Sequence, residues 1–264
     1  MTIGNDIVFS VFTKPWKMGT AELGELVAGL GFSAIELPVR PGYQVEPERV
    51  GADLPKFSKQ LAGFGVKIAS VAGPTDEATI AACAEAQVPV IRTMVSIGDE
   101  NYMAVEARVQ KEYDALVPLL DKHGVTLGVQ NHCGRCVCNA MGLRHLMEKY
   151  DPKHIAAVWD AAHNAVNGED PEMAIDIVWS HLCMVNLKNA YWYRANGPEA
   201  EDVRWAMRWT SGRQGLASWP RVAAELKKRN YRGVVCLTAE YTDGDSVNRL
   251  IAEDIAYAKS LFAK

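Results

Sequence analysis

Four pairs of polar residues mark where this chain could do chemistry: Gln130 with His132, Asp160 with His163, Asn186 with Lys188, and Thr238 with Glu240. Each follows a short apolar run. Residues i and i+2 of a strand face the same way, so three of the pairs would point together beyond their strand ends. Carboxylates, amides, imidazoles and an ammonium gathered in one place can move a proton and steady the oxygen that takes up its charge. Scattering such groups through an apolar core would cost several kcal/mol each, so a shared pocket is the cheaper arrangement. Asp160 is the hub of the pattern, closing the run Ile155-Ala-Ala-Val-Trp159 three residues before His163. The bland alternative makes Asp160 a turn cap and His163 a loop residue.

These residues need a scaffold that presents strand ends on one side. Apolar runs at 7–12, 33–37, 66–71, 88–94, 125–130, 154–160, 181–188 and 233–240 read as eight strands. Helical patterns separate them. One is capped by Thr20 and stopped by Gly31, one spans about 52–63, and another opens at Thr75-Asp76. The rest run over about 103–123 and 141–150, from Asp170-Pro171, from Ser218 to Asn230, and from Asp245-Ser246. Eight strand-helix units without a break in composition predict one α/β domain over residues 1–264, a (β/α)8 barrel whose active face is the C-terminal strand ends.

Composition narrows the function. The chain is 48% hydrophobic and 23% charged, as expected of a soluble globular protein, and its net charge of −4 argues against a nucleic-acid partner. No apolar run approaches the roughly 18 residues of a membrane span. Met1-Thr-Ile-Gly-Asn-Asp6 lacks the basic and apolar regions of a secretory signal, so the cytoplasm is the expected compartment. The six cysteines do not form a disulfide framework; Cys83, Cys183 and Cys236 read as small buried hydrophobes. Three more follow His132 in His132-Cys133-Gly-Arg-Cys136-Val-Cys138. A zinc site there would want a second Cys pair elsewhere, so these read as loop thiols.

One connection is too long for its place. The segment 189–217 runs about thirty residues where a βα loop usually takes two to six. It carries Tyr191, Trp192, Tyr193, Trp205 and Trp209 with several arginines. We read it as a lid whose aromatics, Trp192 among them, and Arg213 meet a flat-faced ligand; a helical flap with its own small core is the alternative. Lys14, Arg40 and Arg92 fall near the ends of strands one, two and four. They would grip a substrate carboxylate or phosphate, or be held in salt bridges by Glu36 and other rim acids; Glu36 and His132 are also expected at the substrate.

Taken in order, Gly31-Phe-Ser-Ala-Ile-Glu36-Leu, Val39-Arg-Pro-Gly42, Asn131-His132, Asp160-Ala-Ala-His163, Asn186-Leu-Lys188-Asn, Gly212-Arg-Gln-Gly215 and Tyr231-Arg-Gly233 resemble the xylose-isomerase-like TIM barrels. These include sugar isomerases and epimerases and the endonuclease IV group. The resemblance implies a divalent metal held by a glutamate, an aspartate, a histidine and a glutamate on strands five to eight. Only the aspartate carries over, as Asp160; Gln130, Asn186 and Thr238 stand at the other positions, with Glu240 one pleat beyond. His163 matches the family's substrate-contacting histidine. An oxygen set of Gln130, Asp160, Asn186 and Glu240 would hold Mg²⁺ or Mn²⁺ weakly and zinc poorly. Without metal, Lys188 and His163 would polarise a carbonyl while Glu240 or Asp160 moves the proton.

The expected activity is therefore isomerisation or epimerisation of a keto-sugar or related polyol by proton abstraction next to a carbonyl, with no nucleotide cofactor. A lyase or hydratase on an oxidised sugar needs the same groups, and a metal-depleted sugar-binding pseudoenzyme is the non-catalytic rival. A repair nuclease would need a histidine-rich zinc cluster, and of six histidines only His132 and His163 fall on the active rim. Assembly into a homo-oligomer is left open.

Overall fold

The computed structural model describes residues 7–263; the N-terminal stretch read above for a secretory signal lies outside the described residues. Eight parallel strands close into a barrel: β1 (Val8–Phe12), β2 (Ala34–Pro38), β3 (Lys67–Ala72), β4 (Val90–Met94), β5 (Thr126–Gln130), β6 (Ile155–Asp160), β7 (Leu182–Leu187) and, after an insertion, β10 (Val234–Leu237), which pairs with β1. The helices are α1 (Thr20–Gly29), α2 (Val50–Ala62), α3 (Glu77–Glu85), α4 (Tyr102–His123), α5 (Ala140–Met147), α6 (Ala161–Val166), α7 (Pro171–Val178), α8 (Trp219–Lys228) and α9 (Val247–Phe262). Among the described residues no helix is long and apolar enough to cross a membrane.

Two apolar clusters hold this together. The larger lies where outward-facing strand residues such as Ile35, Leu127 and Trp159 meet the helices. The smaller gathers Phe12, Ala72, Val158, Met184 and Cys236 from β1, β3, β6, β7 and β10. Helix starts follow the local chemistry in part. Asp76 and Asp170 accept backbone N–H bonds at the starts of α3 and α7, and Pro171 takes the first turn of α7. Thr20, read above as a cap, is instead the first residue of α1, and Gly19 precedes it without a side-chain bond.

The long connection after β7 is neither a loop nor a helical flap. It forms an antiparallel hairpin, β8 (Asn189–Arg194) against β9 (Trp205–Thr210), paired Asn189 to Thr210 through Arg194 to Trp205. β-Branched and aromatic residues suit a pleated strand. Asn189 stitches the hairpin's root: its Nδ2 donates to Gly212 O at 2.8 Å and Ala217 O at 2.9 Å, and its Oδ1 accepts from the N–H of Ala190 and Ala217. Gly215 is required there, because a methyl at that position would collide with the Asn189 side chain and the Ala190 backbone.

Candidate active site

A pocket of about 620 Å³ opens at the C-terminal strand ends, lined by Lys14, Tyr43, His132, Lys188, Trp209, Glu240 and Tyr241 among others. At its centre Glu240 accepts from Lys14 Nζ at 2.5 Å through Oε1 and from Lys188 Nζ at 2.6 Å through Oε2. Lys188 lies 3.7 Å over the Trp209 ring centroid, and its own carbonyl accepts from the Trp219 indole N–H at 3.1 Å. Burial pushes the Glu240 carboxyl up, but the two ammonium groups outweigh it and hold the pKa down at about 2. Glu240 does not reach this place by strand alternation. β10 ends at Leu237, and Ala239, at φ 50°, turns the chain so that the carboxylate enters the pocket.

Beneath the pocket a polar chain crosses five neighbouring strands. Glu36 Oε1 accepts from Ser70 Oγ at 3.0 Å and from Arg92 Nε at 2.7 Å. Arg92 also donates to Gln130 Oε1 at 2.5 Å, and Gln130 Nε2 donates to Asp160 Oδ2 at 2.9 Å. Asp160 Oδ1 accepts from the N–H of Ala162 and His163, capping α6. Asn186 pairs in register with Asp160 and is fully buried. Neither of its amide atoms has a hydrogen-bond partner among the described residues.

His163 links the two levels. Its ring sits 4.0 Å from that of His132 and 5.2 Å from that of Trp209, and its Nδ1 accepts from Cys133 N–H at 3.2 Å. That bond leaves the neutral ring's proton on Nε2, 4.0 Å from Asp160 Oδ2. Burial, with Lys188 and His132 adding to it against Asp160 and Glu240, pushes the imidazole down to about 4. At neutral pH the Asp160 contact is thus one of a neutral ring, not an ion pair. The folded state resists a proton that the unfolded chain accepts near pH 6.5, so His163 lowers stability as pH falls from about 6.5 to 4, by up to about 3 kcal/mol. Melting temperatures over this range should show a steeper acid loss in wild type than in His163→Asn; equal slopes would show that His163 titrates normally.

Several residues expected at the ligand are not among those that line this pocket. Trp192 is exposed, with its indole N–H donating to Val166 O; Trp209, at the hairpin's root, takes the pocket wall instead. Arg213 stacks over Tyr257 at 3.6 Å, because α9 supplies an aromatic face beside the hairpin's root. Arg40 lies 5.9 Å from the Phe12 ring centroid, while Glu36 and Arg92 neutralise each other as a buried pair. His132 and Cys133 do approach a third ligand-type side chain, but it is His163, with all three ligand atoms within 4.8 Å of one another; Cys136 and Cys138 take no part. Tyr43 and Tyr241 line the pocket without any motif to announce them. Asp254 on α9 holds Tyr241 through its hydroxyl and accepts from Gly212 N–H, fastening pocket wall and hairpin root together.

Residues 25–261 match the sequence profile of a family described as xylose isomerase-like TIM barrel. Inosose dehydratase of Mesomycoplasma hyopneumoniae is 24% identical over 125 residues, which span 45% of this chain and 42% of that protein. The match thus spans less than half of that relative's length. A sugar phosphate isomerase/epimerase from Parabacteroides distasonis superposes with a TM-score of 0.74 at 13% identity, over 99% of this chain and 97% of that one. D-psicose 3-epimerase from Clostridium cellulolyticum, solved with D-tagatose, gives 0.72 at 12% identity over 97% and 99%. At such identities the structural likeness speaks for the barrel alone.

Proposed function

This chain belongs to the xylose isomerase-like TIM barrel family, and from its pocket we propose that it isomerises or epimerises a keto-sugar or related polyol by taking a proton from the carbon next to a carbonyl. The observation that carries this reading is Glu240, a carboxylate held between the ammonium groups of Lys14 and Lys188 at the barrel mouth. Proton abstraction next to a carbonyl needs a base beside a cationic hydrogen-bond donor. The Trp209 face offers an apolar wall for the C–H side of a sugar ring, and His132 a polar edge for its hydroxyls. The neutral His163 ring packs behind His132, whose Nδ1 lies 2.8 Å from the Cys133 carbonyl.

A divalent ion, implied by the family resemblance, fits this donor set poorly. Gln130 Oε1 is taken by the Arg92 guanidinium, both Asp160 oxygens by N–H donors, and both Glu240 oxygens by ammonium groups. Of the four, only Asn186 has no partner for its amide atoms among the described residues, and the two carboxylates that would supply the charge are already engaged by ammonium and N–H donors, Glu240 by both lysines. No step of the reading passes through a metal.

The dehydratase relative favours a second outcome from the same chemistry: β-elimination of a hydroxyl once the proton has left. Incubation with keto-hexoses and ketocyclitols, followed by NMR of the products, separates the two. Epimers or positional isomers are expected; a product short of one water would make the chain a lyase. No change in any compound would leave a binding protein.

A further inference from the structure

The proposed reaction needs positive charge beside the carbonyl oxygen, and family resemblance would give that work to a metal. In this chain the Gln130, Asp160 and Glu240 oxygens that would ligate such an ion accept from the protein's own cations and N–H donors, while a buried ammonium stands at the mouth of the same cavity. Resting on the reading above, we propose that Lys188 takes the place of the metal: its ammonium holds the substrate's carbonyl oxygen and, in moving there from Glu240, frees the carboxylate that takes the neighbouring proton.

Lys188 is placed for this. Its side chain is only 7% exposed, so a charge it donates to is little screened by water. The Trp219 indole N–H fixes its backbone carbonyl, and the Trp209 ring supports the ammonium from one side. Lys14 is different in kind. It holds the other Glu240 oxygen, yet 42% of its side chain is exposed, so it keeps the carboxylate paired after Lys188 has left without closing the cavity. The 2.6 Å between Lys188 Nζ and Glu240 Oε2 lets one group meet the carbonyl oxygen while the other meets the hydrogen on the next carbon.

The step balances without a redox partner. Glu240 Oε2 takes the proton, the C–H electron pair becomes a carbon–carbon double bond, and the carbonyl π pair moves to oxygen under the Lys188 N–H donors. A proton delivered by solvent water to the opposite face, with Glu240 giving its own proton to the hydroxide left behind, gives the epimer. A proton returned to the former carbonyl carbon, with a hydroxyl proton crossing to the other oxygen, gives the isomer.

The test combines metal analysis with variants of the full chain. Wild type stripped with EDTA should retain its turnover. Titrated with Mn²⁺ and followed by the electron paramagnetic resonance of the free ion, it should show no stoichiometric site. Lys188→Met should lose about 100-fold or more in kcat with KM changed less, Lys188→Arg should recover part of it, and methylammonium should partly rescue Lys188→Ala. Turnover that vanishes with EDTA and returns with Mn²⁺ would overturn the inference and spare the isomerase reading. One tightly bound Mn²⁺ per chain would overturn it even without a known substrate, as would Lys188→Met at wild-type rate. Absence of turnover on every carbonyl sugar, with or without metal, would sink the reading itself.

Discussion

Replacing Glu240 by Gln is expected to slow turnover by about 100- to 10,000-fold while the barrel stays folded, the range in which a positioned base contributes. Glutamine keeps the side chain's length and an oxygen that can accept from Lys14 or Lys188, so the pocket keeps its shape. What it loses is the ability to take a proton. The change should therefore appear in kcat more than in KM, and far-ultraviolet circular dichroism should match wild type. A pKa near 2 makes Glu240 a weak base while both ammonium groups hold it. Its strength must come from a substrate that draws one of them away. If Glu240→Gln slows turnover less than tenfold, the proton is taken by another group.

The largest loss of stability is expected at Glu36. Glu36→Leu strands the Arg92 guanidinium, whose side chain is 10% exposed, with the Gln130 oxygen and the Phe12 ring as its remaining partners. Burial works against the Arg92 charge, and Glu36 now offsets it. Removing one member of a buried pair typically costs 3–5 kcal/mol, whereas replacing both with apolar groups costs far less. Urea unfolding of Glu36→Leu should show a loss of about 3 kcal/mol or more, and the double variant Glu36→Leu/Arg92→Met should regain much of it. A loss below about 1 kcal/mol for the single variant would mean that Arg92 reaches water or another acid.

How much of this was legible depends on the range of the interactions involved. The barrel was, because strand and helix periods are local. The run ending in Asp160 became β6 to its last residue, and Asp170-Pro171 opened α7. Strand ends were less so. β10 stops at Leu237, three residues short of the 233–240 run, because Ala239 adopts a left-handed backbone that no motif announces. The hairpin carried its signal in Asn189-Ala-Tyr-Trp-Tyr-Arg194, but the sequence does not separate Trp192, Trp205 and Trp209 as the indole that meets the pocket. Only the pairing of Ala190 with Trp209 shows which indole faces His163 and Lys188. The ion pairs were legible in part: salt bridges from Lys14 and Arg92 to Glu36 and other rim acids were one of two open readings, but that Arg92 takes Glu36 across 56 positions and Lys14 takes Glu240 across 226 follows from barrel closure, not from spacing.

Central to the function proposed is that hydrogen leaves the substrate as a proton. It is tested most directly by turnover of a keto-sugar in heavy water, with mass and NMR analysis of product and recovered substrate. The expected result is solvent deuterium at the carbon next to the carbonyl, lost in Glu240→Gln. Product formed with no deuterium at that carbon, in either product or recovered substrate, and at an unchanged rate in Glu240→Gln, would contradict the account: hydrogen would then move between carbons without Glu240 as the base.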